Sequence, residues 1–296
     1  MPIEQLVRPD GTPRFQPEGY APLEAATLPM AGATTTANVG WDGRFCSPGM
    51  NNDVTALAVD GSGNVYAGGD FSTSGGVTTN YVARWNGTSW SALGSGMNTG
   101  VLALAVGAGG TLYAGGAFST AGGVSAYRIA RWDGASWSAL GPGLNSPPYT
   151  IVRALAVDGT TLYAGGDFNV AGGAAGDRVA RWNGASWSGL GLGTNESVTG
   201  LAADGHGNLY AGGAFTSAGG VGASYIARWN GTSWAALGAG MNNYVNAVVV
   251  DTSGNLYAGG YFTTAGGVSA NHVARWNGSS WAALGSGTSN YVNALA

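Results

Sequence analysis

A short apolar segment returns along this chain at a nearly fixed interval, and that period limits the possible architecture more than any other feature. It reads VTALAV at Val54, VLALAV at Val101, VRALAV at Val152, VTGLAA at Val198, VNAVVV at Val245 and VNALA at Val292. The spacings are 47, 51, 46, 47 and 47 residues. The long interval carries Pro147 and Pro148, between two units, where loop additions are tolerated. A period of this size marks arrays of one supersecondary unit that cannot bury its apolar faces alone.

Each unit holds four apolar pieces separated by turn formers. In the first unit they are Val54–Val59, then Val65-Tyr66-Ala67-Gly68-Gly69, Val82-Ala83-Arg84-Trp85 and Trp90-Ser91-Ala92-Leu93-Gly94. Pieces of this length suit strands and are too short for helices. Asp60-Gly61-Ser62-Gly63-Asn64 joins the first pair. Asn86-Gly87 joins the last pair, as Asp133-Gly134 does in the second unit. Such dipeptides are strong hairpin signals, on the expectation that both residues take positive φ. The stretch Ser72 to Asn80 is the one long link. The unit therefore reads as a four-stranded antiparallel meander. Its strands carry apolar or small residues on both faces, Val82 with Arg84 on one and Ala83 with Trp85 on the other. Sheets greasy on two sides must be sandwiched by their own copies, and radial packing achieves this.

The expected fold is all-β: a six-bladed β-propeller of four-stranded antiparallel blades. Full repeats run over about 54–100, 101–151, 152–197, 198–244 and 245–289, within a propeller spanning 25–296. A composite blade would close the ring, with three strands from residues 27–51 and one from 291–296. Thr27 to Ala33 parallels Thr111 to Ala117, Trp41-Asp42-Gly43 parallels Trp132-Asp133-Gly134, and Gly49-Met50-Asn51 parallels Gly96-Met97-Asn98. Closure of this kind removes an open sheet edge. Pro29 fits that scheme only on an edge strand. Residues 1–24 read as a surface tail.

The doublet Gly68-Gly69, followed by Trp85 and Trp90, resembles the kelch pattern, with a shorter gap between the last two aromatics. The fuller string Tyr-Ala-Gly-Gly-Asp-Phe, Ala-Arg-Trp-Asn-Gly, Trp-Ser-Ala-Leu-Gly is closer to repeats of bacterial extracellular proteins. It is also similar to repeats of the fungal cortical polarity marker family. The resemblance covers about residues 27–296 and implies a propeller, with no particular function attached. Kelch-like repeats also build the ring of galactose oxidase, whose copper constellation has no counterpart among two histidines and one cysteine.

Charge narrows the partners. The net charge is −4, every basic residue is an arginine, and no broad cationic surface is available for a phosphate backbone, so nucleic acid is not expected. No apolar run has the length of a membrane span, and the first residues lack the core of a signal peptide. A lone Cys46 cannot form an internal disulfide. The paired glycines are not phosphate loops, because no Gly-Lys-Ser/Thr follows. The turn at Asp60 invites a calcium reading, but its copies at Gly107 and Asp158 lack a full ligand set and no bidentate glutamate follows. No metal or cofactor is expected.

Three sets of residues stand out as candidates. Ten tryptophans form the pairs Trp85/Trp90, Trp132/Trp137, Trp182/Trp187, Trp229/Trp234 and Trp276/Trp281. They suit packing between blades, or stacking on sugars. Arg84, Arg131, Arg181, Arg228 and Arg275 each precede a tryptophan. They could hold anions bidentately, or be satisfied by backbone carbonyls, with Asp70 and Asp167 as partners in their own units. Tyr81, Arg128, Arg178, Tyr225 and His272 occupy one repeat position that is always large and polar yet changes from unit to unit. Loops on a rigid scaffold are where binding concentrates, although exposed loop ends also drift. The expectation is a non-catalytic binding or scaffold module, monomeric, of a secreted or cell-surface protein, taking a protein or glycan ligand on its loop face. A multivalent lectin with about one site per blade is the alternative. An enzyme with an axial site is the third reading, disfavoured because no carboxylate recurs in every unit.

Overall fold

The computed structural model describes residues 49–144, 150–175 and 177–296. The expected tail and the N-terminal strands of the composite blade up to residue 48 lie outside the described residues. The first unit forms β1 (Val54–Val59), β2 (Val65–Gly69), β3 (Thr73–Ser74), β4 (Val77–Thr78), β5 (Val82–Trp85) and β6 (Trp90–Ala92). β1, β2, β5 and β6 make a four-stranded sheet in that order, all antiparallel. Four more sheets repeat it, beginning at Val101–Val106, Ile151–Asp158, Val198–Ala203 and Val245–Val250.

Two local features depart from the sequence reading. The long link contains a two-stranded ribbon, β3 with β4, repeated in every sheet. Its strands are two residues long, below what a periodic pattern can reveal. The Asn86-Gly87 connection is a four-residue loop between the paired Trp85 and Trp90. Gly87 takes positive φ and Asn86 does not. Asn86 acts through its side chain, whose Oδ1 accepts the Thr88 and Ser89 N–H groups at 2.9 Å.

The core lies between sheets. Tyr66, Val82 and Leu93 of the first sheet cluster with Leu112, Ala114 and Trp137 of the second. Tyr163, Val179 and Leu190 of the third meet Leu209, Ala211 and Trp229 of the fourth in the same way. The approach is close because one partner has no side chain. A methyl group on Gly115 would stand 2.4 Å from Val152 Cγ1 of the next sheet, and the same contact recurs from Gly68 to Val101 at 2.5 Å. The four later tryptophan pairs lie in these seams, with ring centroids 5.4 to 5.6 Å apart. The second member of each later pair also donates Nε1–H to a leucine carbonyl of the preceding sheet: Trp137 to Leu93, Trp187 to Leu140, Trp234 to Leu190 and Trp281 to Leu237, at 2.8 to 2.9 Å.

Both ends of the array show how the stacking continues. At the C-terminus, Val292 Cγ1 stands 2.5 Å from where a Gly259 methyl would lie, as Val101 does at Gly68. Asn246 Nδ2 donates to Val292 O at 3.0 Å, matching the bond from Thr55 Oγ1 to Val101 O. Residues 291–296 thus occupy the place of a next first strand, although they pair with no strand among the described residues. In β1, Leu57 is 64 % exposed, whereas its counterpart Leu104 is 9 % exposed.

The seam geometry gives a direct expectation. Gly115→Ala should destabilise by about 1–3 kcal/mol through overpacking. Combining it with Val152→Ala should recover part of that loss, since the new methyl enters the space vacated. Urea denaturation of the two single variants and the double variant checks this; strict additivity would mean that the two positions do not touch.

Candidate functional site: the loop end of the sheets

The two ends of each sheet differ. One end holds short turns. The other holds the ribbons and the linkers that lead from one sheet to the next. An asparagine in each of four linkers fastens the following ribbon. Asn98 Oδ1 accepts the Ser119 and Thr120 N–H groups, and its Nδ2 donates to Ser119 Oγ at 2.9 Å. Asn51, Asn195 and Asn242 do the same in their units. Gly49-Met50-Asn51 therefore matches Gly96-Met97-Asn98 in structure as well as in sequence, with Met50 bridging Ser74 as Met97 bridges Ala121.

This latched end gathers residues that the repeat does not keep constant. Tyr81, Arg128, Arg178, Tyr225 and His272 all sit there, each with φ between 65° and 72°. Left-handed backbone costs a non-glycine residue about 1–2 kcal/mol. The chain places glycine at many other such positions, yet here it has a large polar residue five times in five. Each of these residues brackets the position that follows the Gly-Gly doublet. Tyr81 N–H donates to Phe71 O and Tyr81 O accepts from Gly69 N–H, leaving Asp70 between them. That middle position is Asp70, Ala117, Asp167, Ala214 and Tyr261. Its own N–H reaches the residue that precedes the first strand: Asp70 to Asp53, Ala117 to Gly100, Ala214 to Ser197 and Tyr261 to Tyr244, at 2.8 to 3.1 Å. Three variable positions thus form a row at the loop end of each sheet. From the sequence the middle position stands out only as a possible arginine partner at Asp70 and Asp167, and the residue before the first strand does not stand out at all. Their signal was the same one, changing identity at a fixed place in the repeat.

Side chains of the bracketing position reach toward neighbours. Arg128 Nη1 donates to Ala117 O, and to Phe118 O at 3.2 Å. Arg178 Nη1 donates to Thr194 O in the next linker at 3.3 Å. Tyr225 meets Tyr244 of the next sheet edge-on, with centroids 5.6 Å apart.

The repeated arginines lie toward the other end, so the two candidate sets do not form one site. Arg84, Arg131, Arg181, Arg228 and Arg275 stand cross-strand from Tyr66, Tyr113, Tyr163, Tyr210 and Tyr257. Arg84 Nη2 donates to Asn64 Oδ1 at 3.0 Å, while Arg131 and Arg181 donate Nε–H to Ser138 and Ser188. Pairing with Asp70 and Asp167 is corrected here. Asp167 takes Arg153 at 2.7 Å at the loop end, out of line with Arg181. The cause is direction: the aspartate ends the second strand where Arg181 faces its beginning.

At the short-turn end, Asp60 Oδ1 accepts the Ser62 and Asn64 N–H groups, and Oδ2 accepts Asn64 Nδ2 and the Tyr66 hydroxyl. The turn's own donors occupy the carboxylate. Burial pushes the Asp60 carboxyl up, but the Asn64, Ser62 and Tyr66 hydrogen bonds outweigh it and hold the group below its ordinary value. Asp204 follows the same balance, with donors from Asn208 and His206. In Asp251 the Asn255 side-chain bond is the largest influence and lowers it. Among the described residues no group of three or more His, Cys, Asp or Glu is placed to hold a metal ion. No helix there is long and apolar enough to cross a membrane.

Residues 252–279 match a family model described as "Domain of unknown function (DUF5122) beta-propeller". That stretch runs from the first turn of the fifth sheet to its last hairpin, and every other unit contains its equivalent. The match thus covers one of five like four-stranded units. No curated protein matches it. Among solved structures, the extracellular domain of a hybrid two-component system from B. thetaiotaomicron is 13 % identical with a TM-score of 0.48. That overlap covers 70 % of this chain and 26 % of the other, so the chain spans about a quarter of that domain. The Mitotic Checkpoint Complex gives 16 % identity and a TM-score of 0.49, over 86 % of this chain and 72 % of the other. The RRP9 WD40 repeats give 15 % and 0.48, over 71 % and 61 %.

The turn carboxylates set an acid limit on the blades. Their native values lie below those of the unfolded chain, so the native state binds fewer protons; the stabilisation is complete above about pH 4 and is lost as pH falls through the native values. The melting temperature should hold from pH 7 down to about pH 4 and drop as pH falls further. A variant carrying Asp60→Asn, Asp204→Asn and Asp251→Asn should melt lower at pH 7 and show a shallower acid decline. An acid limb as steep as in the unaltered protein would show that these turns do not set it.

Proposed function

We propose that this propeller is a non-catalytic binding module whose ligand site is the loop end of its blades. One observation carries the reading. Three positions per blade vary, and backbone hydrogen bonds bring all three into one row at that end, while the repeated residues are tied into seams and turns. A rigid frame with changing side chains at its rim suits recognition. The resemblance of the repeat to bacterial extracellular repeats supports a secreted or surface-displayed protein, and the Gly-Gly, Trp, Trp order supports a kelch-like assignment. A monomer accords with blades that bury their faces against each other.

The ring is proposed to have six blades. The segment 291–296 docks on the fifth blade as a first strand, and its Ala294, Leu295 and Ala296 line one cavity with Val54 to Leu57 of the first blade. Three strands from residues 27–51 would complete that blade. Deleting 291–296 should lower the melting temperature by several degrees and leave a first-order loss of cooperativity in the melt; an unchanged curve would rule out a structural role for the segment.

The binding reading is tested by panning the full chain against a displayed peptide library and a glycan array. Ligands should be retained, and should be lost when Tyr81, Arg128 and Arg178 are replaced together by alanine. The turn-end variant Arg131→Ala should keep them. Retention that ignores the loop-end substitutions, or no retained ligand in either library, would overturn the assignment.

A further inference from the structure

The loop end is not uniform around the array. On the first three blades its variable positions include Asp53, Asp70, Arg128, Asp167 and Arg178, and Glu196 follows in the linker to the fourth blade. From residue 198 to the C-terminus the formal charges are Asp204, Arg228, Asp251 and Arg275, and all four belong to first turns or to the arginine positions facing them. Apart from Glu196 in the linker that enters the fourth blade, the loop end of the fourth and fifth blades therefore carries no carboxylate, guanidinium or ammonium group among the described residues. It carries tyrosines instead. Tyr225 of the fourth blade meets Tyr244 at the start of the fifth. Tyr244 O accepts the Tyr261 N–H at 2.8 Å. Tyr261 stacks on Tyr291 across the next seam, with centroids 4.4 Å apart and planes inclined by 22°. The rings form two contacting pairs, one across each seam, and the backbone bond between Tyr244 and Tyr261 joins the pairs into one line of residues.

Tyr225 is half-buried and packs against the core between the fourth and fifth blades, whereas the other three rings stand exposed. Tyr244, Tyr261 and Tyr291 are 50 %, 41 % and 43 % exposed. Equivalent positions elsewhere hold Asp53, Gly100 and Ser197, or Asp70, Ala117 and Ala214, so the fold does not require an aromatic there. The surrounding polar groups are neutral amides. Asn243 Oδ1 accepts the Tyr244 N–H and Asn290 Oδ1 accepts the Tyr291 N–H, each at 2.8 Å. Both carboxamides keep their Nδ2 donors uncommitted among the described residues. His272 is the one titratable nitrogen base beside the row, bracketing Tyr261 through Gly260 and Phe262.

We infer that the tyrosine row Tyr225–Tyr244–Tyr261–Tyr291 binds an uncharged carbohydrate chain along the rim of the last two blades. This rests on the binding-module reading and names its ligand class. The chemistry selects the class. A sugar ring offers an apolar C–H face to an aromatic ring and hydroxyls at its edge to amide donors. Among the described residues a charged peptide or a phosphate would find no counter-ion beside Tyr244, Tyr261 and Tyr291, and leaving its charge unpaired against aromatic surface is costly. A row of rings, as opposed to one ring in a pocket, fits successive residues of an oligosaccharide. The site is local to these blades and differs from a lectin with one equivalent site per blade.

Isothermal titration of the full chain with cellohexaose, xylohexaose, mannohexaose and chitohexaose tests it. At least one neutral hexasaccharide should bind. Replacing Tyr244 and Tyr261 together by alanine should weaken that binding about 10-fold or more, whereas Tyr261→Phe should stay within about threefold, since stacking needs the ring and not the hydroxyl. Melting curves should be unchanged in all variants, because the rings are half exposed. Sugar binding that survives the double substitution would overturn the assignment to this row. No binding of any neutral hexasaccharide, with peptides still captured through Tyr81, Arg128 and Arg178, would overturn the carbohydrate class and leave the binding-module reading standing. Loss of both would overturn the two together.

Discussion

The seam between neighbouring sheets is the contact on which the rest of this protein depends. A glycine in the second strand lets a valine of the next sheet come within van der Waals reach of its backbone, and a tryptophan donates its indole N–H back across the same gap. Burial of the aromatic pair is large and non-directional. The indole hydrogen bond gives the seam its registration, since a buried donor without a partner is costly. Together they fix both distance and slide, and the same geometry is reused at each step.

That rigidity separates two kinds of residue. Positions in seams and turns must repeat, because each copy meets the same neighbours. Asp60, Asn64 and Tyr66 close one turn network, and Asp251, Asn255 and Tyr257 close its twin. Positions at the latched end meet solvent and can differ. There the blades diverge into a charged sector and a neutral aromatic one. The asymmetry lies outside the repeat's demands, and it is where recognition is placed in the reading offered above.

Much of this was legible in the chain as written. The strands of every sheet, their antiparallel order and the two-faced burial followed from period, piece length and turn chemistry. The tryptophans fell where large aromatics on a doubly covered sheet must fall. Other features were not legible. The ribbon β3–β4 has too few residues to show a period. Asn86 was expected to shape its turn through backbone freedom, and it does so through a side-chain acceptor. Arg181 and Asp167 look like partners in sequence, but the strand direction sends them to opposite ends.

The candidate site divides along the same line. Sequence by itself determined the unit, its repetition and one variable position, because local patterning and turn formers act over a few residues and report directly on hydrogen-bonded neighbours. Only the tertiary structure decided that Tyr244, Tyr261 and Tyr291, separated by 17 and 30 residues, share one surface. Their meeting depends on which strand ends coincide and on how one sheet is set against the next. Those are long-range consequences of the seam, and no local pattern encodes them.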